Sequence, residues 1–231
     1  MITNPSQSGK VLLPVQQGHL ARLDDGLDFV NTLHFSGSHK HMESDTLKGP
    51  THDHLQTPTD ALDWLVQHDL LHAGTRDTLV ERYRLSPAEG EHVLARLRRL
   101  RQAMRAILET TVESRPASLG DLSELNRAMR THYVYELVPG PDGISLEHRH
   151  QGDPVDGAMA RLAESLAREL IQGDPDRLRI CENRECSWVF TDRSRTGRRK
   201  WCDMATCGNR AKVARHRARR RAVGADFAPA L

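Results

Sequence analysis

Four cysteines occur in the 231 residues, and all of them fall between Cys181 and Cys207. They form two matched pairs, Cys181-x4-Cys186 and Cys202-x4-Cys207, with fifteen residues between the pairs. A zinc ion held by four thiolates at about 2.3 Å needs two such knuckles, far enough apart in the chain to wrap around it. The spacing predicts a closed, structural site for one Zn²⁺ on Cys181, Cys186, Cys202 and Cys207. Two rivals would use the same thiols. Disulfides need an oxidising compartment, whereas the stretch MITNPSQSGKVLLPVQQGHL lacks the apolar segment of a secretion signal. Four cysteines permit three pairings and the sequence excludes none, but a chain of this length does not need staples to hold a core. An iron–sulfur cluster is the second rival, and its signatures pack the cysteines closer together.

The residues around the cysteines suit a zinc knuckle. Ser187-Trp188-Val189-Phe190-Thr191 alternates and is β-branched, which predicts a strand. Asp192 to Gly197 is a turn-rich loop, and Arg198-Arg199-Lys200-Trp201 leads into Cys202. From Gly208 to Arg221 the chain is rich in Ala and Arg, both strong helix formers. Knuckle, strand pair, knuckle and helix is the order of a treble-clef finger. Trp188, Phe190 and Trp201 are expected to form its small core, since an aromatic beside a knuckle is usually interior.

Cys207-Gly208-Asn209-Arg210 spells the motif of the CGNR zinc finger, and Cys-x4-Cys-x-Trp-x-Phe-x-Asp-x-Ser-Arg ahead of Trp-Cys resembles that family closely. Upstream, Leu27-Asp28-Phe29-Val30-Asn31-Thr32-Leu33 resembles the start of the ABATE domain that usually precedes this finger. The resemblance implies a two-part bacterial protein, described as a stress-induced transcription regulator, with DNA binding proposed for the finger. It is specific over Leu178 to Arg221 and thinner before that. The family pattern Ser-Arg-Asn-x-Ser-Arg-Arg-Trp-Cys is here Ser194-Arg195-Thr196-Gly197-Arg198-Arg199-Lys200-Trp201-Cys202, which loses a polar loop residue and adds positive charge.

Charge divides the chain. Net charge is +2 overall, but residues 177–222 hold 15 Lys/Arg against 4 Asp/Glu, leaving the remainder at −9. Such asymmetry marks a polyanion-binding appendage on an ordinary domain. The expected contacts are Arg193, Arg195, Arg198, Arg199 and Lys200 on the loop, with Arg210, Lys212, Arg215, Arg217, Arg219, Arg220 and Arg221 on the helix. Asn209 and Arg210, next to a ligand, suit bracing the knuckle as well as touching nucleic acid. Double-stranded DNA is the expected partner, and an RNA-binding zinc protein is the alternative, since charge alone does not separate the two.

The remainder reads as mainly helical. Residues 1–20 form a polar arm, 21–174 an ABATE-like domain, 177–223 the finger and 224–231 a tail. Leu23, Leu27, Phe29, Val30 and Leu33 have helical spacing, with Asp28 and Asn31 as caps, surface residues or polar anchors near a pocket. Ser36 to Thr57 reads as a polar loop whose His39, His41, His52 and His54 are candidates for a second metal site. Thr57-Pro58 opens one helix, and Ser86-Pro87-Ala88-Glu89 reads as a capping box opening the longest, to Val112. That helix carries Val93, Leu97, Leu100, Met104, Ile107 and Thr111 inward, while Arg96, Arg98, Arg99, Arg101 and Arg105 read as a solvated face. Ser118 starts another helix. Tyr133–Val138 and Ile144–His148 predict a hairpin around a five-residue loop, and a last helix spans Pro154 to Gln172. The fold expected is α+β: a mainly α N-terminal domain with a small β-hairpin, then a treble-clef-like four-cysteine finger.

No run approaches the eighteen apolar residues of a membrane span, so a soluble, cytoplasmic protein is expected. The sequence has no phosphate-binding glycine loop, no Gly-x-Ser-x-Gly elbow and no His-Glu-x-x-His, so no enzyme is expected. The N-terminal domain would sense a small-molecule ligand or mediate homodimerisation. The other reading is a ligand-binding or enzymatic domain with the finger as a stability clip.

Overall fold

The computed structural model describes residues 23–34, 52–140, 143–183 and 186–225. Helix α1 (Leu23–Asn31) buries Leu27, Phe29 and Val30. A two-residue strand β1 (Leu33–His34) then pairs antiparallel with β2 (His52–Asp53). Helix α2 (Pro58–Gln67) starts on a complete capping box: the Thr57 hydroxyl accepts from the Asp60 amide at 3.1 Å, and the Asp60 carboxylate accepts from the Thr57 amide at 2.8 Å. Helices α3 (Ala73–Leu85) and α4 (Pro87–Val112) follow, then α5 (Leu119–Met129), the strands β3 (His132–Gly140) and β4 (Gly143–Gln151), and α6 (Pro154–Gln172). The finger adds β5 (Leu178–Ile180), β6 (Val189–Thr191), a π-helical turn (Met204–Gly208) and α7 (Asn209–Ala225).

The long helix α4 is the centre of the core. Val93, Leu97, Leu100, Met104 and Ile107 are buried along the expected stripe, joined by Leu94, Ala103 and Leu108. Thr111 is only half-buried and turns its hydroxyl back to the Ile107 carbonyl at 2.8 Å. Helices α1, α2, α3, α5 and α6 all pack on α4 or on one another. Ser118 caps α5 through the Asp121 amide.

Three expectations need correction. Ser86 does not form a capping box. It is shared between the end of α3 and the start of α4, and its ψ of 76° leaves no side-chain cap bond. Glu89 instead pairs with Arg82 at 2.8 Å. The hairpin strands are longer than expected, pairing from His132↔Gln151 up to Gly140↔Gly143, so only two residues connect them. Gly140 and Gly143 belong to the ladder rather than to a five-residue loop, because backbone pairing continues to the tip.

The arginines of α4 are only in part a solvated face: Arg99 is exposed, but the others are not free of the fold. Arg101 is 4% exposed and grips both Asp53 carboxylate oxygens, at 2.6 and 2.7 Å, while also donating to the Thr32 hydroxyl. Arg98 donates to the Leu55 and Gln56 carbonyls, and Arg96 pairs with Asp156. Arg98 and Arg101 hold the chain entering α2 on α4, and Arg96 ties α4 to α6. Burial pushes the Asp53 carboxyl up, but the Arg101 hydrogen bonds and charge outweigh it and hold it below the ordinary range. That contribution is complete above the unfolded-state pKa, near 4, and is lost as pH falls through the folded-state value. Replacing Arg101 by Met is expected to cost about 2–3 kcal/mol, because it leaves the half-buried Asp53 carboxylate with only the Leu55 amide and the more distant Arg98, 3.7 Å away. Urea denaturation at neutral pH would measure this, and the deficit should shrink as pH falls below the unfolded-state value and the carboxylate takes up its proton.

Candidate metal centre and nucleic-acid interface

The finger is built by backbone bonds that turn two short loops toward each other. Cys181 N–H donates to the Trp188 carbonyl at 2.8 Å, closing the first knuckle, while the Asn183 carbonyl accepts from both Cys186 and Ser187. Ser187 has φ 54°, the left-handed value that lets the chain reverse into β6. In the second knuckle the Asp203 carboxylate accepts from the Thr206 amide at 2.7 Å and from its hydroxyl at 2.8 Å. Glu182 N–H donates to the Lys200 carbonyl and ties the knuckles together.

The result brings the four sulfurs within 4.8 Å of one another. The Cys186–Cys202 and Cys202–Cys207 separations are 3.5 and 3.8 Å. A tetrahedron with Zn–S bonds of about 2.3 Å has edges of about 3.8 Å, so the donor set fits one structural zinc. Cys181 and Cys207 are buried and Cys186 and Cys202 half-buried. Asn183 Nδ2 lies 3.4 Å from Cys207 Sγ and supplies a donor to that sulfur from the opposite knuckle. Cys186, hydrogen-bonded to Cys181, holds the Cys181 thiol below its usual range, while that same bond pushes Cys186 up and burial raises Cys202. A divalent ion overrides these differences, since a coordinated thiol gives up its proton.

Two family models match the chain. One, ABATE, described as "Putative stress-induced transcription regulator", spans residues 25–174, and the other, the CGNR zinc finger, spans 177–220. The chain belongs to the ABATE family. A search of curated proteins found no match. Within this ABATE chain the strand pair differs from the expected order, because β5 precedes Cys181 and β6 follows Cys186. The stretch after β6 cannot supply a second strand. It coils around the Asp192 carboxylate, which is 1% exposed and accepts from Ser194 N at 2.9 Å and Arg199 N at 2.7 Å. Burial pushes that carboxyl up, but hydrogen bonds from Arg199 and Ser194 bring it down to about 2.

The aromatic trio is only partly interior to the finger. Trp188, Phe190 and Trp201 are each half-buried, and the Arg199 guanidinium lies 5.3 Å above the Phe190 ring. The fully buried apolar side chains are Leu178 and Val189, and both belong to the core of the ABATE helices. The finger strands therefore complete that core. Asn31, at the end of α1, fixes the junction: its Nδ2 donates to the Val189 carbonyl at 2.8 Å and its Oδ1 accepts from Val189 N at 3.0 Å. The side chain pairs with β6 as a neighbouring strand would. Asn31 is thus the anchor of the finger, whereas Asp28 lies exposed on the same helix. Replacing Asn31 by Ala would strand a buried N–H and C=O, at about 2 kcal/mol, and is expected to lower the thermal midpoint without removing zinc.

The twelve cations singled out from the sequence separate into two groups. Arg193 pairs with Asp24 of α1 at 2.6 Å, Lys200 with Glu182 at 3.1 Å, and Arg199 donates to the Cys202 carbonyl. These three hold the finger together or onto α1. Arg195, Arg198, Arg210, Lys212, Arg215, Arg217, Arg219 and Arg220 are exposed, and Arg221 lies in the last turns of α7. Asn209 braces the π-helical turn through the Ala205 carbonyl at 2.9 Å, leaving Arg210 as the first cation facing outward. Among the described residues, the four cysteines are the only cluster suited to a metal ion. His54 is exposed, and His39 and His41 lie outside the described residues. Among the described residues no helix is long and apolar enough to cross a membrane.

Proposed function

We propose that the chain is a cytoplasmic, non-enzymatic transcriptional regulator that binds double-stranded DNA through its zinc-built C-terminal helix. The observation that carries this reading is α7, whose side chains from Lys212 to Arg220 are all exposed while its base rests on the metal knuckle. A helix whose described side chains are nearly all exposed normally frays, so a function for its cations is the simplest reason to keep it. Ala211, Ala214 and Ala218 share one side at helical spacing, which allows close approach to a groove floor, with cations on the flanks for phosphate. Arg195 and Arg198 extend the same positive surface. In this reading the ABATE domain supplies ligand sensing or assembly and transmits it through the Asn31 junction.

The test is a titration of zinc-loaded protein with duplex DNA and with structured RNA over a salt series. About five phosphate contacts would give a log–log salt slope of about −4 to −5 for the duplex. Tighter binding to RNA at matched salt would move the assignment to an RNA-binding protein, and salt-insensitive or absent binding would remove both.

One observation favours a second reading: Leu178 and Val189 are part of the ABATE core, so the finger also acts as a clip for that domain. Truncation after residue 209 separates the two, because it keeps the metal ligands and deletes the basic helix. Unchanged cellular activity would favour the clip.

A further inference from the structure

The register of the β3–β4 hairpin sorts its side chains onto two faces. Leu137 lies opposite Leu146, Tyr135 opposite His148, and Pro139 opposite Ile144, all on one face, while Val134, Glu136 and Ser145 belong to the other. At the base of the first face Tyr133 and His150 meet edge to face at 5.7 Å, and the His150 ring is pressed against Gly157 of α6 so closely that a Cβ there would come within 2.8 Å. Toward the tip the same face is exposed. Tyr135 is 68% exposed, Leu137 71%, Ile144 78% and Leu146 50%.

We propose that this tip is a self-association surface, on which the hairpins of two copies of this chain stack face to face about a two-fold axis. The area is that of a weak pair: four side chains of roughly 150–200 Å² each, half to four-fifths exposed, present about 450 Å² per copy, or about 900 Å² in a pair, below the roughly 1,200 Å² of a stable specific interface. The patch also suits its own copy. In a two-fold contact a residue on the axis meets its own copy, and Tyr135, Leu137, Ile144 and Leu146 carry no charge to repel there or to be buried unpaired; Glu136 lies on the opposite face, and His148, paired with Tyr135, is a titratable residue on this one. A two-stranded hairpin is marginal by itself, and covering its apolar face in a pair supplies the missing burial. The inference does not depend on nucleic-acid binding, although such a dimer would present two α7 helices to a two-fold site.

Sedimentation equilibrium of the zinc-loaded full chain is the experiment. The expected mass is twice the chain's 26.0 kDa. Leu137→Glu is expected to bring it to a single chain with zinc content and helicity unchanged, whereas Val134→Glu on the other face should leave the pair intact. Ile144→Lys repeats the test with the opposite charge if Leu137→Glu folds poorly. A wild-type chain that stays single up to about 100 µM overturns the proposal, as does a pair that survives both tip variants or is lost equally with Val134→Glu.

Discussion

Replacing Cys202 by Ser is expected to drop the zinc content from one per chain to near zero on dialysis against a weak chelator. A serine hydroxyl is a poor substitute for a thiolate, and three sulfurs leave an open position that water and competing ligands can enter. Structural zinc in small fingers contributes about 10–16 kcal/mol of binding free energy, and that energy is folding free energy. The consequence reaches beyond the finger. Leu178 and Val189 close the core of the ABATE helices, and Asn31 is matched to the Val189 backbone, so a disordered finger uncovers apolar surface on α1 and α4. The thermal midpoint of the whole chain is expected to fall by about 10 °C or more, while most far-UV helicity survives at 25 °C. Atomic absorption and circular dichroism on one sample would check both. A variant that kept a full zinc equivalent would show that the four sulfurs are not one site.

Reversing the charge of Arg215 and Arg219 is expected to weaken binding to duplex DNA by about 10²- to 10³-fold near 0.1 M salt and to flatten the salt slope by about 2. Both side chains are exposed on α7, well past the last zinc ligand, so zinc content and thermal midpoint should not change. The loss should be similar on unrelated sequences if these are phosphate contacts, and concentrated on a preferred site if either side chain reaches a base edge. Fluorescence anisotropy at several salt concentrations distinguishes the cases. An unaltered affinity would mean that α7 does not touch the polymer. Reversing Arg193 is a useful contrast, because its partner is Asp24 and its effect should fall on the domain junction.

The metal site was readable from the sequence because cysteine spacing encodes it directly, and nothing elsewhere in the chain competes for the ligands. The stripe on α4 was readable for a similar reason, since a 26-residue helix repeats its period often enough to be unmistakable. Helix α3 was not separately legible. Only Leu79 and Tyr83 are buried along it, and His72 provides no side-chain cap. Arg101 was misread because an arginine among arginines carries no local sign of burial; its partner Asp53 lies 48 positions away. The same holds for Asn31, whose partner Val189 is 158 positions distant. Asp192 stood inside a recognised motif, but its role as the acceptor around which the basic loop coils depends on that loop's backbone, which spacing does not reveal. Local chemistry was therefore legible, and long-range polar pairing was not.

The most direct test is to follow duplex-DNA binding across a salt series on one preparation, before and after the zinc is removed by a chelator and again after it is restored. Binding that steepens to a slope of about −4 or beyond, disappears with the metal and returns with it is the expected result. Binding that ignores salt, or that persists undiminished once Cys181, Cys186, Cys202 and Cys207 have lost their ion, would contradict the view that zinc shapes the arginine helix for its polyanion.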